Sequence, residues 1–374
     1  MSSILHRIFA LARTVFIAVM VFATTVNLSA QHSNHNGASS NEHWQKEIQK
    51  QEFKAGDMII DHISDSYEWH IITIGHTHVT IPLPVMLYDE GEFHFFMSSA
   101  FHHNEGVHDG YFISHHDMNT GKIVKKDTSG AEIRPYLDFS FTKNVLAIFM
   151  SAFLMIFVFI SIAKSYKKRK GKAPKGLQSF MEPIILFVRD DIAKASIGEK
   201  KYQKYMPFLL TVFFFVLINN MLGIVPFFPG GANVTGNIGV TGVLAAFTFI
   251  ITTFSGNKNY WIHLVNAPGV PWWLKLPIPL MPFVEIMGVF TKPFVLMVRL
   301  FANITAGHII ILGFISLIFI FGEMSTGLGY GVAVVSVAFS IFMDVLELLV
   351  AFIQAYVFTL LSALYFGMAT EESH

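Results

Sequence analysis

The chain has 374 residues, of which 53% are hydrophobic and only 14% charged, whereas charged residues make up about a quarter of an ordinary soluble domain. This composition, with a mean hydropathy of +0.51, indicates a membrane protein. The formal net charge is zero, so no dominant basic field favours nucleic acid as a partner. The absence of cysteine excludes disulfides, thiolate metal sites, iron–sulfur clusters and a cysteine nucleophile.

Residues 1–30 have the layout of a secretory signal peptide. His6, Arg7 and Arg13 precede or flank an apolar run of about 13 residues, which is short for a membrane-spanning helix of roughly 20. The run ends in small or polar residues, and we expect cleavage near Ala30. An uncleaved membrane anchor is the alternative.

Residues 31–140 form an acidic, histidine-rich segment that we expect to lie outside the cytoplasm. The segment has 16 Asp and Glu against 7 Lys and Arg, a net charge of −9, and 13 of the 17 histidines of the chain. Runs of β-branched and aromatic residues at Trp69–Ile74, His78–Leu87 and Glu92–Phe96 predict a small β-rich unit. We expect this segment to be dispensable for rotation but to contribute to assembly or to local proton supply.

Apolar stretches in residues 141–374 predict five transmembrane helices. The first, Asn144–Ala163, is followed by seven Lys and Arg within twelve positions, which places that end in the cytoplasm. Residues 206–254 lack charge and are divided by proline and glycine into a helical hairpin. The last two stretches, about 283–321 and 329–367, are long enough to require steep tilt. The prediction is an all-α polytopic membrane protein with a small β-rich extracytoplasmic N-terminal segment and a cytoplasmic C-terminus.

Two other segments are predicted to lie at the membrane surface. Residues 176–200 are amphipathic, and the apolar side of the predicted helix contains Leu177, Phe180, Met181, Ile184, Phe187 and Val188. The proline- and tryptophan-rich stretch Gly256–Pro282 has the aromatic and basic composition of a membrane–water boundary.

Six ionisable residues lie in the apolar background of the last two stretches, and they are the candidates for function. An arginine at the centre of a spanning helix costs about 2.5–3.5 kcal/mol on insertion scales, so ionisable residues in such positions are functional by default. They are Glu285, Lys292, Arg299, His308, Asp344 and Glu347.

Helical geometry places the first of these residues on one polar stripe. At 100° per residue, Glu285, Lys292 and Asn303 lie within about 40° of Arg299. For Lys292 and Glu285, extension of the side chain to the water boundary is the alternative. For Arg299, which is flanked by apolar residues on both sides, the alternative is an ion pair within the chain.

The last helix has a second polar stripe, because Ser340, Glu347 and Gln354 recur every seven residues. His308 lies nine positions after Arg299 and therefore faces the opposite side of its helix. The amides of Asn303 and Gln354 can also serve simply to join helices, a common use of amides in membranes.

Three runs carry a resemblance to a known family. PFVLMVRLFANITAGHIII (293–311), LELLVAFIQAYVFTLLSALYFG (346–367) and FVRDDIAKASIGEKKYQKYMPFLLTVFFFVLINNMLGIVP (187–226) closely resemble subunit a of the membrane sector of rotary ATP synthases. The RLFxNxxAGH core is highly specific. The resemblance covers about residues 140–367 and weakens over the acidic N-terminal segment.

The resemblance implies a role and a set of partners. Subunit a is a non-catalytic transport subunit in the bacterial inner membrane that lies beside a rotating ring of c subunits, through two long, tilted helices. It implies proton translocation through two offset half-channels, coupled to ATP synthesis, with the b-subunit peripheral stalk, the other ATP synthase subunits and the lipid bilayer as further partners. No cofactor or metal ion is implied.

The resemblance also implies roles for single residues. Arg299 matches the essential arginine of the family. The positions that match the proton path are Glu285, Asn303, His308, Glu347 and Gln354. Some bacterial members fill the positions of His308 and Glu347 the other way round, and the exchange keeps one acid and one imidazole.

Two other classes of function remain as alternatives. A metal-ion transport or delivery protein is suggested by His76-x-His78, His102-His103 and His115-His116, although paired histidines in a His-rich segment often reflect composition. An intramembrane hydrolase ranks last, because the sequence contains neither an HExxH nor a GxSxG motif.

Overall fold

The computed structural model describes residues 54–74, 77–102, 106–114, 119–127, 129–169, 171–225, 228–265 and 280–371. The predicted signal peptide and most of the predicted proline-rich boundary stretch lie outside these residues. The described chain divides into two compact units. One contains residues 146–304 and 348–371, and the other contains residues 54–145 and 305–347.

The N-terminal part of the described chain consists of one helix and short strands. Helix α1 (Ala55–Ile63) precedes nine strands in the described ranges. They are β1 (Glu68–Ile74), β2 (Thr77–Pro82), β3 (Pro84–Asp89), β4 (Glu92–Met97), β5 (Val107–His108), β6 (Tyr111–Ile113), β7 (Ile123–Lys126), β8 (Glu132–Ile133) and β9 (Leu137–Asp138). A 3₁₀ helix, Ser98–His102, follows β4.

The strands pair antiparallel in three small sheets, with the orders β1-β2, β4-β3-β9 and β5-β6-β7-β8. Two hairpins have two-residue loops in which both residues have positive φ. They are Glu90-Gly91, at 51° and 90°, and Asp109-Gly110, at 51° and 81°. Such loops match the twist of the strands that they join, and glycine adopts the second conformation without steric cost.

The strands coincide only in part with the runs that the sequence predicts. Trp69–Ile74 and Glu92–Phe96 correspond to β1 and β4. His78–Leu87, predicted as one run, forms two strands in different sheets. Pro82 and Pro84 have no backbone N–H, so one ladder cannot continue across them. Between them, Leu83 donates its N–H to Ser98 Oγ at 3.0 Å and accepts from Ser98 N at 2.9 Å.

A buried carboxylate joins two of the sheets. Asp89, at the end of β3, accepts hydrogen bonds from Tyr111 Oη at 2.9 Å and from the backbone N–H of Tyr136 at 3.2 Å, and it pairs with Lys125 Nζ at 2.5 Å. Burial would raise the pKa of Asp89, but these donors outweigh burial and hold the pKa below its usual value. Burial, together with Asp89, raises the pKa of Tyr111 to about 12.

We expect Asp89→Ala to lower the free energy of unfolding of this unit by about 2–3 kcal/mol, because three donors lose their buried acceptor. Since the folded-state pKa is depressed, the stabilisation by Asp89 is present above pH 3.8 and is lost as the pH falls through the folded-state value. Limited proteolysis of the purified protein against temperature measures the effect. Glu90→Ala is the control, because Glu90 is exposed and, among the described residues, pairs only with Lys125. Equal effects of the two variants would contradict the prediction.

Five helices in the described residues are long and apolar enough to cross a membrane, which confirms the five predicted spans. They are α2 (Lys143–Lys168), α5 (Tyr202–Ile224), α6 (Ile238–Ser255), α8 (Leu280–Met324) and α9 (Thr326–Thr370). The last two have 45 residues each, which at 1.5 Å per residue is about 67 Å. Only Ser325 separates α8 from α9.

The helices outside these five spans are short. They are α3 (Leu177–Phe187), which continues into a π-helical segment, Val188–Lys194, then α4 (Ala195–Ile197) and α7 (Lys258–Val265). In residues 177–197, the side buried in the protein contains Gln178, Val188, Ile192 and Ala193. Phe180 and Leu177, on the predicted apolar side, are exposed. The π-helical segment changes the angular spacing of the side chains, so the regular 100° count does not hold across it.

Helix α5 is the most buried span, and its phenylalanines Phe213 and Phe214 are among the largest fully buried side chains. Asn220 in this helix joins two other elements of the same unit. Its Nδ2 donates to the carbonyl oxygen of Ala351 in α9 at 3.2 Å, and its Oδ1 accepts from Thr235 Oγ1 at 2.5 Å. In an apolar interior such bonds fix how helices pack, because an unpaired amide there is costly.

Candidate functional site

Arg299 lies on the exposed side of α8. Leu296, Leu300 and Ile304, spaced four residues apart, form the buried side of this part of the helix, with exposures of 1%, 1% and 3%. Arg299 and Asn303 are exposed. The side chains exposed alongside them on this helix include apolar ones, among them Phe290, Phe294 and Val295. The guanidinium therefore projects from an apolar surface of a membrane-spanning helix.

No carboxylate of the described residues lies within ion-pair distance of Arg299. The ion pair within the chain that the sequence left open is therefore not found in the described part of the protein. An exposed guanidinium without an anionic partner is costly in lipid, so Arg299 calls for a negative charge that the described residues do not supply.

The first half of the polar stripe contacts other parts of the same unit. Lys292 Nζ lies 5.7 Å from the centre of the Tyr365 ring on α9, a cation–π contact. Lys292 and Tyr365 line a small cavity together with Tyr260 of α7. Glu285 is half-buried. Burial of the Tyr260 hydroxyl, followed by the negative charge of Glu285, raises the pKa of Tyr260. Lys292 thus has an aromatic partner in the protein.

Gln354 lies on the buried side of α9. Its exposure is 5%, and Ala351 and Ala355 on the same side are fully buried. Ser340 and Glu347, fourteen and seven positions earlier, are also buried, at 7% and 5%. The seven-residue spacing therefore identifies a buried polar side of this helix.

His308 and Glu347 form a close pair within one unit. His308 Nδ1 lies 2.6 Å from Glu347 Oε1, and the two side chains are 12% and 4% exposed. The contact is an ion pair when the imidazole is protonated, and within the described chain Glu347 Oε1 has no hydrogen-bond partner. An acid and an imidazole in direct contact, both shielded from water, can exchange a proton.

Gly307 makes room for this pair. A Cβ atom at position 307 would lie 2.9 Å from Glu347 Oε1, closer than real Cβ atoms tolerate. The glycine belongs to the RLFxNxxAGH core, but the sequence alone does not show what it faces. Asp344, one turn before Glu347, lies close enough to Glu347 and His308 to interact with both electrostatically.

Some polar residues of the structure were missed by sequence reasoning. Asn220 carried a usable signal, since an amide in an uncharged span is unusual. Asp65 carried none, because one more acid in a segment with 16 acids is not distinctive. Its Oδ1 accepts the backbone N–H of Asn144 at 3.0 Å, near the start of α2.

The described residues contain no group of three or more His, Asp or Glu arranged to hold a metal ion. Of the paired histidines, His76, His103, His115 and His116 lie outside the described residues. His102 contacts Glu68, with its Nε2 2.7 Å from Oε1. The metal-transport alternative thus finds no site here.

Comparison with known proteins gives two family matches. A family described as ATP synthase A chain matches residues 145–367, which is more than half of the chain. A domain of unknown function (DUF8433) matches residues 58–139.

Curated relatives agree with the first match. An ATP synthase subunit a from Chloroherpeton thalassium is 42% identical over 282 residues, covering 74% of this chain and 78% of the relative. An ATP synthase subunit a 2 from Chlorobaculum tepidum is 47% identical over 276 residues, covering 71% and 74%. A protein of the same name from Prosthecochloris aestuarii is 43% identical over 287 residues, covering 73% and 84%. These matches exclude the metal-transport alternative as the main function, and the chain belongs to the family of ATP synthase subunit a, which forms the proton channel of the membrane sector.

Proposed function

We propose that Arg299 meets the ion-carrying carboxylate of a partner, the c-subunit ring, and that protons reach and leave this carboxylate through two offset half-channels. The observation that carries the proposal is the exposed guanidinium on an apolar helix surface, without a carboxylate partner in the described chain. A partner that brings one carboxylate after another supplies the missing charge and covers the apolar surface.

Arginine suits this position because it cannot lose its proton. A carboxylate that leaves lipid in the protonated form meets the positive charge and ionises, since an adjacent cation favours the charged form of an acid. The guanidinium does not deprotonate in a low-dielectric site, so it cannot pass the proton directly to the other side. Each proton must therefore travel with the ring. Each charge that crosses the membrane gains about 2.3 kcal/mol per 100 mV, which is the work available to turn the rotor.

The close pair of His308 and Glu347 supports a proton path on the extracytoplasmic side. Both groups are almost fully shielded from water, and an imidazole changes its protonation near physiological pH. Asn303 and Gln354 then provide polar positions on the two long helices, and Glu285 lies at the other end of the stripe, toward the opposite half-channel. No metal ion or cofactor takes part in this scheme.

The same proposal includes the orientation of the chain. The basic cluster after α2 supports a cytoplasmic position for the end of that helix, so five spans leave the C-terminus in the cytoplasm of a bacterial cell. The N-terminal segment, residues 31–140, is then extracytoplasmic and follows a cleaved signal peptide, residues 1–30. The separate family matches support a boundary near residue 140 between this segment and the membrane domain.

The length of α8 and α9 supports steep tilt, since about 67 Å exceeds a hydrocarbon core of about 30 Å. The b-subunit stalk and the other ATP synthase subunits complete the set of partners.

Disulfide cross-linking tests the proposed contact with the c ring, and the lack of native cysteine makes single-cysteine variants possible. We expect Asn303→Cys, on the exposed side of α8, to form a disulfide with a cysteine placed beside the ion-carrying carboxylate of the c subunit. Ile304→Cys is the matched control, because the neighbouring Ile304 is 3% exposed. Cross-linked product on gels of oxidised native membranes is the measurement. Cross-linking from position 304 but not from 303 would contradict the proposal.

A further inference from the structure

A basic cavity of about 420 Å³ lies where three membrane-spanning helices of one compact unit have an end. Its lining comes from the start of α5, the end of α6 with the segment that follows it, and the end of α9. The lining includes Lys200, Lys201, Lys204, Ser255, Asn257 and Thr370. The volume is within the range of about 300–1,000 Å³ that is usual for ligand sites.

Hydrogen bonds to the end of α9 fix one wall of this cavity. Lys201 Nζ donates to the carbonyl oxygen of Thr370 at 2.8 Å, and Asn257 Nδ2 donates to the same oxygen at 3.0 Å. The backbone N–H of Asn257 donates to Ala369 O at 2.9 Å. The last carbonyl groups of a helix have no partner within the helix, so these donors satisfy them. The starts and ends of the three helices are thereby held together.

Lys200 and Lys204 add positive charge to the cavity that the described chain does not balance. Both are exposed, and neither forms an ion pair with a carboxylate of the described residues, including the neighbouring Glu199. Lys204 Nζ lies 5.3 Å from the centre of the Tyr205 ring. Positive side chains at the N-terminal end of a helix are unfavourable, because that end already has a partial positive charge. An anion in the cavity would offset both.

Apolar side chains beside the cavity favour a lipid as the source of this anion. Phe254, next to Ser255 of the lining, is 87% exposed, and Met368, two positions before Thr370, is 43% exposed. A free inorganic anion would leave this apolar surface uncovered. A phospholipid brings a phosphate together with acyl chains, and basic pockets between membrane helices are suited to anionic headgroups.

We propose that this cavity binds the phosphate group of one anionic phospholipid, with Lys200 and Lys204 as its charged partners. Their ammonium groups donate charge-assisted hydrogen bonds to the phosphate oxygens. The acyl chains of the lipid cover the neighbouring apolar side chains. The inference goes beyond the proposed function and does not depend on the role of Arg299, since the cavity and its charges are independent of the proton path.

Photolabelling of the complete ATP synthase tests this site. The complex is reconstituted in phosphatidylcholine vesicles that contain photoactivatable phosphatidylglycerol, and the labelled chymotryptic peptides of this chain are identified by mass spectrometry. We expect label on the peptides that line the cavity. The double variant Lys200→Gln with Lys204→Gln should lower this label about tenfold, because two charge-assisted hydrogen bonds are lost. Lys200→Arg with Lys204→Arg keeps both charges and should retain most of the label.

The matched control is Lys167→Gln with Lys168→Gln, which removes two exposed lysines from the end of α2 and changes the net charge equally. This variant should be labelled like the parent. Equal label in the two glutamine variants would overturn the inference, as would loss of label in the arginine variant, which would indicate a structural effect of the substitutions.

Two further arms identify the source of the phosphate. Photoactivatable phosphatidylcholine, which has the same acyl chains and no net charge, should label the cavity peptides weakly. Excess inorganic phosphate should leave the label from phosphatidylglycerol unchanged. Equal label from both lipids would show that the lysines do not select the headgroup and would overturn the inference. Displacement by inorganic phosphate would assign the cavity to a free anion and exclude the lipid.

Discussion

Arg299→Ala is expected to abolish ATP-driven proton pumping and ATP synthesis by the assembled complex. Without the guanidinium, no charge on this surface of α8 ionises the arriving carboxylate or separates the two half-channels. Passive proton flux through the membrane sector should remain or increase, since the barrier between the half-channels is the charge of Arg299. Fluorescence quenching of a pH probe in inverted vesicles measures pumping, and the decay of an imposed pH gradient measures passive flux.

Arg299→Lys distinguishes a general need for a positive charge from a need for one that cannot be lost. An ammonium keeps the charge but can shed its proton in a low-dielectric site, so this variant should also fail in coupled synthesis. Lys292→Gln is the matched control, because it removes a cation two turns earlier on the same helix, where Tyr365 is its partner. We expect it to retain most of the pumping. Normal growth on a respiratory substrate with Arg299→Lys would refute the role assigned to the arginine.

The second large effect is expected from exchanging His308 and Glu347. The single changes His308→Glu and Glu347→His place two acids or two imidazoles where the native pair is 2.6 Å apart, and like groups push each other's pKa away from the working range. Each single change should therefore abolish most of the pumping. The double change restores one acid and one imidazole, the order that the family resemblance attributes to other members, and it should recover more transport than either single change.

The comparison requires equal amounts of assembled complex, which immunoblots of the vesicles establish. Gly307 has no side chain to obstruct the exchanged pair, and His308→Glu leaves that glycine in place. Pumping rates of the two single variants and the double variant form a double-mutant cycle. Strict additivity of the two defects would show that the residues act in separate places, and the shared half-channel would have to be abandoned.

Much of the membrane part follows from composition and periodicity. The hydrocarbon core of a bilayer is about 30 Å thick and contains no water, so each backbone N–H and C=O must be hydrogen-bonded within the protein. A long apolar run meets this requirement as a helix. For this reason α2, α5, α6, α8 and α9 lie close to the predicted stretches.

Contacts between residues that are distant in the sequence could not be predicted from its local patterns. His78–Leu87 formed two strands in separate sheets, because the pairing of short strands depends on residues distant in the chain. Residues 177–197 include a π-helical turn, which a simple repeat in the sequence does not encode.

The sequence by itself determined that this is a membrane protein of the ATP synthase subunit a family, with an arginine that lies in an apolar span and therefore needs a charge partner. Only the tertiary structure decided that the described chain supplies no such partner for Arg299, and that His308 and Glu347 are in direct contact. The physical reason is that hydrophobicity and helical period act over a few residues. The pairing of His308 with a carboxylate 39 positions later depends instead on how α8 and α9 pack.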